Sequence, residues 1–255
     1  MDIVLCATQR CGSTLIVEDM RNTSVLGKPE EWFVPWDPEK EGVNWGEALA
    51  SVERRATGEN GKSAIKVMAN QLFPVESCLT GVVSPRDSGE FPHFAAAFEG
   101  AQWVWLKRRD VVSQAISRIM AMQTGINHAT GKAEDDHFAG NLAKGYDPNY
   151  NAGAVYRYGA ILRQVTAITL ENLAWQRFFE SQKITPVEMV YEEVIRDDDM
   201  GHLDVFAGMV GLTDRPERKP RAMVKVGNQK NKNWRERFFQ DAAKNNYMPA
   251  KPQPA

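Results

Sequence analysis

The sequence predicts an α/β protein built on a parallel sheet with helices on both faces. Three observations point to it. Short apolar runs rich in β-branched and aromatic residues occur at Asp2–Thr8, Ser63–Ala69, Ala101–Lys107 and Pro186–Tyr191. Segments with helical spacing of apolar residues separate them. The first run ends in a glycine turn that opens at once into a helical pattern, the junction expected where strands alternate with helices.

Each of the four runs reads as a buried strand. Between and after them the spacing predicts helices at Ser13–Arg21, Trp45–Ala56, Asp110–Gln123, about Ala152 to Glu180, Leu203–Val210 and Asn233–Ala243. In the long helix Ile161, Leu162, Val165, Ile168, Leu173 and Trp175 recur at roughly helical intervals. Two segments read as loop. Glu76–Pro92 holds Gly81, Pro85 and Gly89, and Asn127–Tyr150 is polar, glycine-containing and aperiodic. A structureless stretch of that length is usually functional or mobile. Residues 1–247 read as a single domain, and 248–255, with three prolines, as a disordered tail.

Composition narrows the function. A net charge of −2 over 255 residues argues against a nucleic-acid binder driven by a positive field. Three cysteines, Cys6, Cys11 and Cys78, are too few and too irregular for a disulfide framework and suit a reducing cytoplasm. Cys6 reads as a small core residue; Cys11, in the turn, reads either as a small turn residue or as a reactive thiol. His93, His128, His137 and His202 show no metal-ligand spacing, so no metal is expected. No signal peptide is visible, and no apolar run approaches the roughly 18 residues of a membrane span.

The first turn, Thr8-Gln9-Arg10-Cys11-Gly12-Ser13-Thr14, has the makings of an anion cradle. A strand that feeds a helix through glycine presents backbone N–H groups and the positive end of the helix dipole. Arg10 adds a guanidinium fork. Ser13 and Thr14 are placed to cap the helix or to donate to anionic oxygens. The turn lacks the lysine that follows the glycine in a nucleoside-triphosphate loop, so its anion is a phosphate or sulfate of another kind. A plain strand-to-helix turn with a serine cap is the simpler reading. Gly58-Glu59-Asn60-Gly61-Lys62-Ser63 ends like a phosphate loop, but it precedes a strand instead of following one, and Ala56 stands where the first glycine belongs. It reads as a turn.

A second basic cluster, Lys107-Arg108-Arg109, closes the third run and opens a helix. Ligands of open α/β sheets gather at the carboxyl ends of strands. Two anion sites at neighbouring strand ends imply a ligand with two separated anionic groups; a solvated charge cluster is the alternative. Ser113 and Ser117 share one face of the helix that follows.

Three segments together carry a specific resemblance. Gln9-Arg10-Cys11-Gly12-Ser13-Thr14-Leu15, Gly27-Lys28-Pro29-Glu30-Glu31-Trp32-Phe33 and Arg108-Arg109-Asp110-Val111-Val112-Ser113-Gln114-Ala115-Ile116-Ser117 resemble, in order and spacing, the trehalose 2-sulfotransferase-like family of bacterial sulfotransferases. Weaker similarity continues through Trp175, Phe179, Val190-Tyr191 and Trp234. The resemblance implies the sulfotransferase fold, a P-loop-NTPase-like parallel sheet with helices on both faces. It implies 3′-phosphoadenosine 5′-phosphosulfate as donor, with the 3′,5′-bisphosphate as product, no metal, and in-line transfer to a hydroxyl of a sugar, a glycolipid or another small acceptor. A homodimer is compatible with it.

By the same resemblance, Arg10, Cys11, Gly12, Ser13 and Thr14 bind the 5′-phosphosulfate, and Arg108, Arg109 and Ser117 the 3′-phosphate. Glu31 is the catalytic base, with Arg10 stabilising the leaving group; Glu30 is the competing carboxylate. Pro29, Trp32 and Phe33 are expected to shield that carboxylate. Where relatives tend to carry an Arg-Gln-Ala-Asp-like segment, this chain has Lys225-Val226-Gly227-Asn228. Lys225 keeps a cation for the cofactor site, and Asn228 replaces the acid. Lys66 reads either as reaching the donor sulfate or as an outward strand lysine. Trp103, Trp105, Phe178 and Phe179 read as core, with adenine stacking open to one of them. A small-molecule kinase or a non-catalytic nucleotide-binding module are the rival functions.

Overall fold

The structure, a computed structural model, describes residues 1–135 and 137–245; the predicted tail 248–255 lies outside them. In chain order the elements are β1 (Ile3–Ala7), α1 (Ser13–Asn22), α2 (Trp45–Ala56), β2 (Ala64–Met68), a 3₁₀ turn at Ala69–Gln71, α3 (Leu72–Leu79), α4 (Pro92–Ala97), β3 (Gln102–Lys107), α5 (Val111–Thr124), β4 (His128–Thr130), β5 (Leu142–Ala143), α6 (Tyr158–Gln182), β6 (Val187–Val190), α7 (Tyr191–Val194), α8 (His202–Met209), β7 (Met223–Val224) and α9 (Gln229–Lys244). They form two compact units: residues 1–109 with 169–221, and residues 110–168 with 222 onward.

The first unit holds a four-stranded parallel sheet in the order β2-β1-β3-β6. Every residue of β1 and β2 is buried, which is why their runs are continuously apolar and do not alternate. One face, with Val4, Cys6, Ile65, Val67, Trp103 and Trp105, packs into a core with Phe94, Phe98, Trp175, Phe178 and Phe179. The four aromatics raised above as core or adenine platform (Trp103, Trp105, Phe178, Phe179) are core. Trp175, wholly buried, also donates its indole N–H to the Ala7 carbonyl at 2.9 Å. That bond satisfies the last strand carbonyl before the first turn.

The opposite face, with Ile3, Leu5, Val104 and Leu106, is equally buried. Helix α1 is held there in an unexpected way. Asp19 is wholly buried and receives both donors of the Arg221 fork at 2.7 Å, with His202 Nε2 at 2.9 Å. The bond to Asp19 raises the already high pKa of Arg221. A buried carboxylate is tolerated only when paired in this manner.

In the second unit, Ala115, Ile116, Ile119 and Met120 of α5 pack with Ile161 and Ile168 of α6 and Trp234 and Phe238 of α9. A small sheet in the order β5-β4-β7 accompanies them.

Four expectations are corrected. Helix α3 runs into the segment read as loop from Glu76; Pro74 sits in its first turn, where a missing N–H costs nothing. Within Asn127–Tyr150 two strands of three and two residues form, too short for periodicity to reveal. Helix α6 starts at Tyr158 and not near Ala152, because Gln123 holds both the N–H and the carbonyl of Val155 in a non-helical segment. Helix α9 starts four residues early, at Gln229, where Asn228 caps it. The Gly58–Ser63 segment is a turn, as expected, closed by Gly58 N–H to Lys62 O.

Trp175→Phe is expected to lower unfolding free energy by roughly 1–3 kcal/mol, the penalty for a buried carbonyl left without its donor. Urea denaturation measures this; an unchanged midpoint would show that the indole bond does not support the end of β1.

Candidate active site

The first turn is set by Gly12. Its φ of 100° lies in the left-handed region, and a Cβ there would fall 2.6 Å from Tyr191 Cε2. Only glycine meets both conditions at low cost. Gly12 is also the N-cap of α1, and no side chain caps the helix; the expected serine cap does not form. The Leu15 N–H donates back to Gly12 O at 3.1 Å. Arg10 adopts a φ of 65° in the same turn.

Cys11 is wholly buried and its N–H donates to Thr8 O at 3.2 Å. Burial pushes its thiol pKa up. Cys11 is thus a small buried residue of the turn, with its N–H engaged by Thr8. Cys6 is a core residue, its thiol likewise raised by burial.

Tyr191 follows β6 and lies against Gly12. The Arg108 guanidinium sits 4.9 Å from its ring centroid, a cation–π distance. Arg108 Nη1 donates to the Arg10 carbonyl at 3.2 Å. Arg108 thus leaves the end of β3 turned toward the first turn, with Glu192 Oε1 3.8 Å from its Nε. Arg109 takes the other course: its side chain is exposed and pairs with Glu193, while its N–H donates to Glu192. The two arginines are therefore not equivalent.

The loop that carries the two glutamates runs beside β2, the edge strand. Lys66 N–H donates to Glu30 O at 3.1 Å, and Lys28 N–H to Ala56 O at 2.8 Å. Phe33 anchors the loop in the core, edge-on to Trp36 and Phe98. Trp32 donates its indole N–H to Lys28 O and lies under the Arg55 guanidinium. So fixed, adjacent carboxylates point to different partners. Glu30 pairs with Arg21 at 2.6 Å. Glu31 pairs with Lys66 Nζ at 2.9 Å, with Gln71 Nε2 at 3.5 Å.

Glu31 remains 30% exposed, while Phe33 is engaged in the core and Trp32 with Arg55. The expected apolar shield is replaced by an ion pair. Lys66 is 4% exposed and its Nζ also lies 3.2 Å from Thr14 Oγ1. The outward reading of Lys66 is excluded: one buried ammonium links the first turn of α1 to Glu31. The sequence left Lys66 open between two readings, and it missed Gln71 and Tyr191 as neighbours of the site. The signals for Tyr191 were its place at the end of a strand and its part in the weaker family resemblance.

The remaining expected site residues lie in the second unit. Ser117 is on α5, partly exposed, and Lys225 follows β7, exposed. Ser113 is taken up by Asp110, which caps α5 through the Ser113 N–H and hydroxyl and pairs with Arg235. Burial alone would raise the Asp110 pKa; these hydrogen bonds and the guanidinium outweigh it and hold the carboxyl below its ordinary value. Asn228, where relatives tend to have an acid, is the N-cap of α9, a position that Asn and Asp fill about equally well.

Gly12→Ala is expected to lower unfolding free energy by roughly 1–3 kcal/mol through backbone strain and the Tyr191 clash. Adding Tyr191→Ala should lessen this coupling in a double-mutant cycle by denaturation. A Gly12→Ala protein as stable as wild type would contradict this turn geometry.

The chain is similar to known sulfotransferases. The Stf0 sulphotransferase family model matches residues 2–241. The trehalose 2-sulfotransferases of Mycolicibacterium smegmatis and Mycobacterium tuberculosis are each 26% identical to this chain, over 275 and 280 aligned positions, covering 94% of each chain. A sulfotransferase of known structure from Alicyclobacillus acidocaldarius aligns over 95% of this chain and 92% of its own, with 12% identity and a TM-score of 0.45. Among the described residues no helix is long and apolar enough to cross a membrane.

Proposed function

The chain belongs to the Stf0 sulphotransferase family and is a sulfotransferase; on that premise we propose that it moves a sulfuryl group from 3′-phosphoadenosine 5′-phosphosulfate to a carbohydrate hydroxyl, with Glu31 as base. The observation that carries this reading is the Thr14–Lys66–Glu31 connection, which holds one carboxylate at the anion-binding end of α1. Glu30, the competing carboxylate, pairs with Arg21 instead of Lys66.

The uncapped helix start fits a sulfated nucleotide: a glycine without Cβ, first-turn amides and the Arg10 cation favour an anion. Arg10, Gly12, Ser13 and Thr14 are assigned to the 5′-phosphosulfate. Arg108 and Ser117 are assigned to the 3′-phosphate, with Arg109 and Lys225 as further cations of the donor site. The donor supplies the sulfuryl group. The acceptor oxygen bonds to sulfur, the bond from sulfur to the bridging oxygen breaks, and the 5′-phosphate leaves with the electron pair. Glu31 takes the acceptor proton. Arg10 and the turn amides stabilise the charge that grows on the leaving oxygen, a contribution of a few kcal/mol per donor group.

The two relatives named trehalose 2-sulfotransferase support a sugar acceptor. The family match over residues 2–241 supports reading 1–247 as one sulfotransferase domain. Three free, buried cysteines support a reducing, cytoplasmic setting.

Glu31→Gln is expected to lower kcat by roughly 10²- to 10⁴-fold and to leave affinity for adenosine 3′,5′-bisphosphate within about threefold. Sulfuryl transfer to trehalose and calorimetric titration measure the two effects. Near-native turnover would remove Glu31 as the base.

A further inference from the structure

We propose that Lys66 is a positioning residue whose buried ammonium holds Glu31 beside the donor site and screens its charge from the donor's anionic oxygens. The inference rests on the reading of the first turn and Glu31 given above, and adds an electrostatic requirement to it.

A carboxylate base must stand close to the oxygen that attacks sulfur, and so close to an anionic donor. Two negative charges a few ångströms apart repel strongly in a partly dry site. A cation between them removes the conflict. Lys66 Nζ is 2.9 Å from Glu31 Oε1 and 3.2 Å from Thr14 Oγ1, on the side of the carboxylate that faces the helix start. Its side chain is 4% exposed, so water does little to weaken its field.

The placement also accounts for the missing lysine of the turn. Here the ammonium comes from the neighbouring strand β2, and the loop carrying Glu31 is hydrogen-bonded to that same residue, through Lys66 N–H and Glu30 O. One residue thus fixes the loop with its main chain and the carboxylate with its side chain. A lysine buried only for packing would have no reason to touch both Thr14 and Glu31.

The test is titration of adenosine 3′,5′-bisphosphate into wild type, Lys66→Met, Glu31→Gln and the double variant, with thermal unfolding to confirm the fold. Lys66→Met is expected to weaken binding at least about tenfold, because Glu31 is left unscreened. Glu31→Gln in that background should restore affinity to within about threefold of Glu31→Gln alone. Thermal unfolding of the same four proteins separates this effect from loss of the ion pair's contribution to stability.

Wild-type affinity in Lys66→Met overturns the proposal. So does a double variant at least about tenfold weaker than Glu31→Gln, which would make Lys66 a direct donor contact and not a screen; this comparison holds even where Lys66→Met alone fails to fold. A wild-type protein that does not bind the bisphosphate overturns the donor reading itself, and this inference with it.

Discussion

Gly12 is where the main chain, a helix end and a neighbouring ring meet, and the site is built around that meeting. The chain leaves β1 in a strand conformation and must begin α1 within a few residues. A left-handed glycine makes the turn, and the absence of a Cβ lets the Tyr191 ring fill the space beside it. Tyr191 then backs Arg108, which returns a hydrogen bond to the turn at Arg10. The order β2-β1-β3-β6 explains why these residues can cooperate. Strands β1, β3 and β6 are consecutive neighbours, and their carboxyl ends bring Gly12, Arg108 and Tyr191 together.

The other side of β1 contributes Glu31. Strand β2 is an edge, and its free side is used by a loop, not by another strand. An edge covered in this way gives no template for aggregation, and here it gives the loop a fixed register. Glu30 and Glu31, though adjacent, meet different cations, Arg21 and Lys66. The position of Glu31 is thus a consequence of main-chain bonding at β2 and of Phe33 in the core.

Much of the sheet was legible because its strands are buried on both faces, and continuous apolar runs such as Ile3–Ala7 say so directly. The glycine turn and the two basic strand ends were legible for the same reason: they sit at sharp changes of pattern. Other features depend on contacts that no local pattern encodes. Asp19 looks like a solvent-facing helix residue, yet it is buried by Arg221, 202 residues away. The end of helix α3 was hidden because Glu76 onward read as loop on the strength of Gly81, Pro85 and Gly89, which lie beyond the helix. Lys66 could have faced either way until the loop from Gly27 was laid beside it. The serine cap was a sound expectation from residue type, but glycine took the cap position.

The most direct test is a crystal structure with adenosine 3′,5′-bisphosphate. Its 5′-phosphate is expected within hydrogen-bonding distance of the main-chain amides at Gly12–Thr14, with Lys66 between that phosphate and Glu31. A 5′-phosphate bound away from the start of α1, or a nucleotide held in reverse with its 3′-phosphate there, would contradict this placement.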